Sequence, residues 1–353
     1  MPYRPPAAPI RFGIVATGTI SRTMAHALHD APSTVPTAVA SRSIASAEAF
    51  AKDLGVPSAY GSYQALLDAD TCDAVYIATP HNFHAEWAIR AAEAGKHVFL
   101  EKPAGLNEAE VRAIIDAAVV NGVYFAEAFK ARRHPLTHRV VELLANGAVG
   151  NAHIIRCQCG GAATFDPASR LFDPHLAGGA ILDIGCYAIS MARLLAAACM
   201  SGHAEHFAHP TSLVAHGKLG PTGVDHAASA ILAFGDGPIA ELSTGLQTHD
   251  NRGLAVLGDT GKLVVEHPWV TDRRRGGRFT IELHHAGQGV EQITVEEPLS
   301  AFALEAEAAA QDILAGRAQA SSPGYTHADS LSQARTLDLW RLAIGLRYPG
   351  EPA

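Results

Sequence analysis

"RFGIVATGTISRTMAHALHD", residues 11–30, reads as an apolar strand, a tight turn at Gly18 and a helix. A strand that feeds a helix directly is half of a parallel βαβ unit, because parallel neighbours require a crossover. The pattern then repeats: "TAVAS", "SAEAFAKDLG", "AVYIAT", "HAEWAIRAAEAG", "HVFLEKP", "NEAEVRAIIDAAVVNG", "VYFAEAF". Asn107 can cap one of these helices and Gly95 can end another in a left-handed turn. The alternation predicts an α/β protein whose residues 10–131 form a doubly wound parallel sheet, after a Pro-rich tail over residues 1–9.

Beyond Arg132 the segments lengthen and alternate in polarity, as in "GNAHIIRCQC", "ASAILAF", "LAVLGD" and "RFTIELHH". Gly-rich turns between them predict a large, open, mostly antiparallel sheet within residues 132–353, one face covered by helices. A second copy of the chain is the natural cover for the other face. Two helices, "AFALEAEAAAQDILAG" and "HADSLSQARTLDLWRLAIGL", close the sequence.

Composition supports two domains in 353 residues, with 48% hydrophobic and 18% charged residues. A net charge of −8 argues against a general nucleic-acid or anionic-membrane binder, and the basic run "RRRGGR" at 273–278 reads as a solvated hairpin loop. Five scattered cysteines (72, 157, 159, 186, 199) make no disulfide framework, which points to a reducing cytoplasm. No apolar run of the roughly 18 residues needed to span a membrane stands out.

The first turn carries only the middle glycine of a dinucleotide fingerprint. Gly18, with Thr17, Thr19 and Ile20, stands where a pyrophosphate would meet backbone N–H groups at a helix start, although an ordinary tight turn has the same look. Where an NAD-binding chain places an acid against the ribose, this one has Ser41, Arg42 and Ser43. A guanidinium there can hold a 2′-phosphate, which argues for NADP(H) over NAD.

"IATPHNFH" puts Thr79, Pro80 and His81 at the carboxyl edge of the sheet, with Asn82 and His84 opening a helix; Asn82 serves equally well as a helix cap. "VFLEKPAGLN" (98–107) ends a buried strand on Glu101, Lys102 and Pro103, and a buried lysine must be paired or useful. Asp183 and Tyr187, four apart in "LAGGAILDIGCYAISMARLL", would share one helix face.

The segments "GIVATGTIS", "VASRS", "IATPHNFHAEWAIRAAEAGKHVFLEKPAGLN", "PASRLFDPHLAGGAILDIGCY", "LAVLGDTGKLVVEHPW" and "LDLWRLAIGLRYP" together resemble the glucose-fructose oxidoreductase/inositol dehydrogenase (Gfo/Idh/MocA) family, from Arg11 to Pro349. Within it they look most like the NADP-dependent group holding dimeric dihydrodiol dehydrogenase, D-xylose dehydrogenase and glucose-fructose oxidoreductase. The resemblance implies hydride transfer between nicotinamide and a sugar, polyol or diol, catalysed by Lys102 and Tyr187 with Asp183 beside them, in a homodimer formed through the open sheet. Tyr187 would be the acid/base group, its pKa of about 10 lowered by the Lys102 ammonium. Glu101 and Arg170 would reach the cofactor. Two other readings remain open: an NADP-binding sensor without turnover, and an aldose-aldose oxidoreductase that never releases its cofactor.

Lys130 and His175 depart from the family pattern around the substrate pocket, so the substrate is not carried over from it, and Phe302 stands where relatives often have a tyrosine. The histidines of "HAEHFAH" (203–209) lack a metal-protease order and no metal is expected; Cys157 and Cys159 read as core, and Cys186 as a small buried residue.

Overall fold

The computed structural model describes residues 8–201, 207–249, 251–269, 274–287 and 289–351. Its first half alternates strand and helix: β1 (Ile10–Val15), α1 (Thr19–Asp30), β2 (Thr34–Ala40), α2 (Ile44–Leu54), β3 (Ser58–Tyr60), α3 (Tyr63–Leu67), β4 (Ala74–Ile77), α4 (His84–Glu93), β5 (His97–Glu101), α5 (Glu108–Val120) and β6 (Phe125–Ala128). These strands form one parallel sheet in the order β3-β2-β1-β4-β5-β6. Both faces are covered, which is why all four residues of β4 are apolar and buried. The order reverses between β1 and β4, opening a crevice at the carboxyl edge where ligands bind in such sheets.

Local chemistry sets the helix ends. Ser43, Ser62 and Asn107 each accept a backbone N–H three residues on, and Gly95 adopts φ 72° just after α4.

The second half begins with α6 (Pro135–Ala145) and β7 (Ala152–Gly160), passes through α7 (Cys186–Ser201), and continues as β8 (Ser212–Leu219), β9 (Asp225–Ala233), β10 (Ile239–Gly245), β11 (Arg252–Gly258), β12 (Gly261–Val265), β13 (Gly277–His285) and β14 (Gly289–Glu297). The eight strands run in the order β14-β13-β12-β11-β7-β10-β9-β8, antiparallel except for β7 and β10. Ile155, Cys157 and Cys159 of β7, with Leu242, Leu254 and Val256, turn one face toward the core that holds α6 and α7. Arg156, Ile231, Val214 and Ile239 lie on the other, open face, where Arg156 pairs with Glu241 at 2.7 Å.

Two helices follow: α8 (Ala301–Leu314) and α9 (His327–Ala343). Although α8 comes after the second sheet, it packs on the first: Ala303, Ala306 and Ala310 join the core of Phe12, Met24 and Leu28. Helix α9 lies between the halves, with Ala334 in the core of Val15, Val98 and Phe125, and Leu337 and Trp340 in that of the second sheet. Buried polar ties reinforce the seam: Arg132 meets Asp329 at 3.2 Å, and Ser330 Oγ donates to Glu127 at 2.7 Å.

One sequence expectation needs correcting. The segment Pro174–Met200 is long and apolar enough to cross a membrane by composition alone, but 83% of its most apolar window is buried inside the protein. Its hydrophobicity serves the core between the second sheet and helices α6 and α9. The expected basic hairpin does join β12 to β13, though Arg273 lies outside the described residues, as do His203 and His206.

Candidate active site

The turn after β1 is shaped by a residue in an uncommon conformation. Ala16 has φ 89°, a region that costs a non-glycine residue roughly 1–3 kcal/mol. Gly18 then caps α1 in extended geometry with no side-chain cap, and a Cβ there would meet nothing within 4 Å. The free N–H groups of the helix start therefore face open space. We expect Ala16→Gly to raise stability by about 1 kcal/mol, relief of strain exceeding the roughly 0.5–1 kcal/mol of unfolded-state freedom that glycine adds. A urea midpoint that rises with an unchanged m-value would show it.

Thr17 and Ile20 are half-buried and Thr19 exposed on the same turn. At the end of β2, Ser41 is buried, Ser43 caps α2, and Arg42 projects outward with no hydrogen bond or ion pair recorded among the described residues. Thr79 Oγ1, after β4, is buried without a partner.

Asn82 and His84 each make hydrogen bonds within the protein, and Asn82 Oδ1 is buried without a partner among the described residues. Asn82 caps no helix; its Nδ2 donates to the His175 carbonyl at 3.0 Å, clasping the His81–Phe83 turn to the Pro174–Leu176 turn. His84 is fully buried, with Nδ1 2.8 Å from the Pro103 carbonyl and Nε2 2.9 Å from that of Thr79. Burial pushes its pKa down to about 4, so the neutral ring donates to one of these oxygens at a time. It fastens the β4 edge to the β5 edge, with no ring nitrogen left for a cofactor. His81 is likewise buried and held neutral, with Nδ1 3.2 Å from the Ala177 carbonyl.

At the end of β5 the chemistry concentrates. Glu101 accepts a hydrogen bond from the buried Tyr76 hydroxyl and another from Lys102 N at 3.3 Å. The Lys102–Pro103 peptide is cis. Lys102 Nζ donates to the Asp183 carbonyl and lies 3.8 Å from Asp183 Oδ1. Asp183 also takes Arg170 Nη1 at 3.1 Å, so in this arrangement Arg170 is turned to the carboxylate. Burial opposes both charges of the central pair. Lys102 and Arg170 nevertheless hold the Asp183 carboxyl below its usual range, and Asp183 keeps the Lys102 ammonium above its own.

Asp183 and Tyr187 do not share an ordinary helix face. Residues Ile181–Gly185 form a wide turn in which Cys186 N bonds the Ile181 carbonyl, and α7 begins only afterwards. The turn rests on Asp225, whose Oδ2 accepts Ile181 N at 2.8 Å. Gly179, at φ 115°, lets the chain pass, since a Cβ would sit 2.0 Å from Asp225 Oδ1.

Tyr187 stands against Phe129 edge-on at 5.6 Å and Trp269 at 6.1 Å, with Lys102 Nζ 5.2 Å and Lys130 Nζ 4.8 Å from its ring centre. Its pKa shift is opposite to the sequence expectation. Burial, then Glu101, raises it well above the ordinary value, and the ammonium groups approach the ring rather than deliver a lowering large enough to offset this. Tyr187 is therefore a neutral phenol, a proton donor. Sequence reading missed Tyr76 and Asp225, which support the site from β4 and β9, and Trp269, which reaches it from the turn after β12; "HPW" after a glycine-turned strand was the only local hint of Trp269.

Cys157, Cys159 and Cys186 are free and buried, and no metal-holding cluster occurs among the described residues. Comparison with known proteins shows the family. Residues 10–129 match the oxidoreductase family model with the NAD-binding Rossmann fold, and residues 137–264 match the GFO/IDH/MocA C-terminal domain. A D-xylose 1-dehydrogenase (NADP(+)) from Haloferax volcanii is 33% identical over 93% of this chain and 95% of its own. A trans-1,2-dihydrobenzene-1,2-diol dehydrogenase from Xenopus laevis is 31% identical over 96% of this chain and 99% of its own. The structure of the 3-ketoreductase KijD10 from Actinomadura kijaniata, solved with TDP-benzene and NADP, superposes with a TM-score of 0.82 at 28% identity, covering 95% of this chain and 98% of that one. With both domain models matched in order and relatives aligned nearly end to end, this chain belongs to the GFO/IDH/MocA oxidoreductase family.

Proposed function

We propose that the chain is an NADP(H)-dependent oxidoreductase acting on the CH–OH or carbonyl carbon of a sugar, polyol, diol or related compound, with Tyr187 and Lys102 as its acid–base pair. The observation that carries the reading is the convergence of Lys102, Asp183 and Tyr187 beside the crevice at the carboxyl edge of the first sheet. The relatives' names, xylose dehydrogenase, dihydrodiol dehydrogenase and ketoreductase, support the same substrate range.

The crevice suits a dinucleotide. Open space over Gly18, the uncapped start of α1 and the outward guanidinium of Arg42 supply what a pyrophosphate and a 2′-phosphate would need. When bound, the nicotinamide supplies or accepts the hydride. Tyr187, neutral in this setting, gives its proton to the carbonyl oxygen in reduction and retrieves it in oxidation. The Lys102 ammonium holds that oxygen, and Asp183 keeps the lysine charged and in place.

The test is a screen of aldoses, polyols and diols with NADP+ and NAD+ in parallel, following absorbance of the reduced nicotinamide. No turnover anywhere in that range would sink the reading in favour of a sensor. For Arg42→Asp we expect KM for NADP+ to rise at least about tenfold and KM for NAD+ to fall, because the acid repels a 2′-phosphate and accepts from a ribose hydroxyl. An unchanged preference would remove Arg42 from the site.

The open face of the second sheet fits a homodimer. Val214, Ile231 and Ile239 are 65%, 51% and 40% exposed there, beside the Arg156–Glu241 pair. Light scattering is expected to give a dimer for the native chain and a monomer for Ile231→Lys; a native monomer would exclude this mode.

A further inference from the structure

The turn that carries Lys102 is held by side chains from three elements. His84 Nδ1 lies 2.8 Å from the Pro103 carbonyl, Ala104 N donates to Glu127 Oε1 at 3.0 Å, and Leu106 N donates to Glu110 Oε2 at 2.8 Å. Proline has no N–H, so the Ala104 amide is the first backbone donor beyond the lysine, and once buried it needs an acceptor. Glu127, on β6 beside β5, supplies it.

The second carboxyl oxygen of Glu127 reaches α9, where Oε2 accepts Ser330 Oγ at 2.7 Å. Three residues along the same side of that helix, Gln333 Nε2 donates to the Cys186 carbonyl at 2.7 Å, immediately before Tyr187. Gln333 is fixed at its other end, where Oε1 accepts Arg193 Nη1 at 3.3 Å. Glu127, Ser330 and Gln333 are all buried. One helix therefore grips the Lys102 turn through Glu127 and the head of the Tyr187 helix through Gln333, about one helical turn apart.

We propose that Glu127, Ser330 and Gln333 are positioning residues for the acid–base pair, with α9 as the spacer that sets the Lys102 ammonium 5.2 Å from the centre of the Tyr187 ring. This rests on the reading of Lys102 and Tyr187 given above and deepens it. The three residues act through backbone groups, the Ala104 N–H and the Cys186 carbonyl, and leave the reacting oxygen to the pair itself. The grip does not depend on the charge of Glu127. Ionised, its oxygens accept from Ala104 and Ser330; protonated at Oε2, it donates to Ser330 Oγ while Oε1 still accepts from Ala104. Glutamine reproduces the second pattern, whereas leucine leaves a buried N–H and a buried hydroxyl without their acceptor.

Kinetics and hydrogen exchange on the full chain test the spacer together. Glu127→Leu is expected to lower kcat about 10- to 100-fold, the scale on which a misplacement of about 1 Å acts, with Kd for NADPH within about threefold of native. Glu127→Gln should recover kcat to within about threefold. In a Tyr187→Phe background the further loss from Glu127→Leu should shrink to less than about threefold, because residues that act as a unit do not add. Exchange mass spectrometry should show residues 102–106 opening faster in Glu127→Leu and at the native rate in Glu127→Gln. Should the leucine variant fail to fold, Ser330→Ala removes a single oxygen and should show the same pattern with about a three- to tenfold loss of kcat. An unchanged kcat, a full additional loss in the Tyr187→Phe background, or exchange quickened across the whole chain rather than at 102–106 overturns the proposal. A native chain that turns over no substrate sinks the oxidoreductase reading, and native exchange at 102–106 in the leucine variant then sinks the spacer as well.

Discussion

Tyr187→Phe is expected to lower kcat by roughly 100- to 10,000-fold, the usual contribution of a positioned proton donor, while NADPH binding stays within about twofold of native. The substitution removes one oxygen and nothing else. Phe129 meets the ring edge-on, Trp269 lies beyond it, and the two lysine ammonium groups approach it, so phenylalanine keeps the packing. The raised pKa of Tyr187 fixes the pH signature. A group held neutral stays a competent acid through and above neutrality, so carbonyl reduction should be level across that range and decline only at strongly alkaline pH. Oxidation needs the deprotonated form and should climb with pH over the same span. Stopped-flow and steady-state rates in both directions would read these slopes. Native-like kcat in the phenylalanine variant would end the assignment.

Lys102→Met should cost about 100- to 1,000-fold in kcat, comparable to deleting one donor to a developing oxyanion. Methionine matches the lysine in length, so the end of β5 keeps its shape. What disappears is the ammonium that holds the reacting oxygen and that, with Arg170, keeps Asp183 ionised against burial. Without it the Asp183 pKa should rise, and the pH profile should gain an acidic limb absent from the native enzyme. Lys102→Arg should rescue poorly, because a planar fork cannot occupy the place of a compact ammonium wedged against a backbone carbonyl. A methionine variant within tenfold of native kcat would assign the lysine a merely supporting role.

The sequence carried the first half clearly because each strand there is buried on both faces and each helix is amphipathic, so the pattern switches sharply at each boundary. It was less legible where elements are short: the three residues of β3 and five of α3 are too few to show a period. Helix α6 had a signal that went unused, Pro135 at its first position and Leu136, Val140 and Leu144 on one side. At the site, Lys102, Asp183 and Tyr187 were legible from residue type and family pattern. Their charge states were not, because the Tyr187 pKa depends first on burial and then on Glu101, which no local pattern connects to it. The structural use of His84 was hidden for the same reason: its partners are the carbonyls of Thr79 and Pro103, and backbone acceptors leave no mark in a sequence.

The return of α8 to the first sheet has a consequence for how the molecule can be made and divided. Ala303, Ala306 and Ala310 cover the apolar side of Phe12, Met24 and Leu28, so a fragment ending near residue 131 would present that side to water. During synthesis at roughly 5–20 residues per second, the nucleotide-binding half would wait roughly ten to forty seconds for its missing cover. Over that interval it is a natural client for chaperones, and any chimera that exchanges the first half must carry residues 301–314 with it.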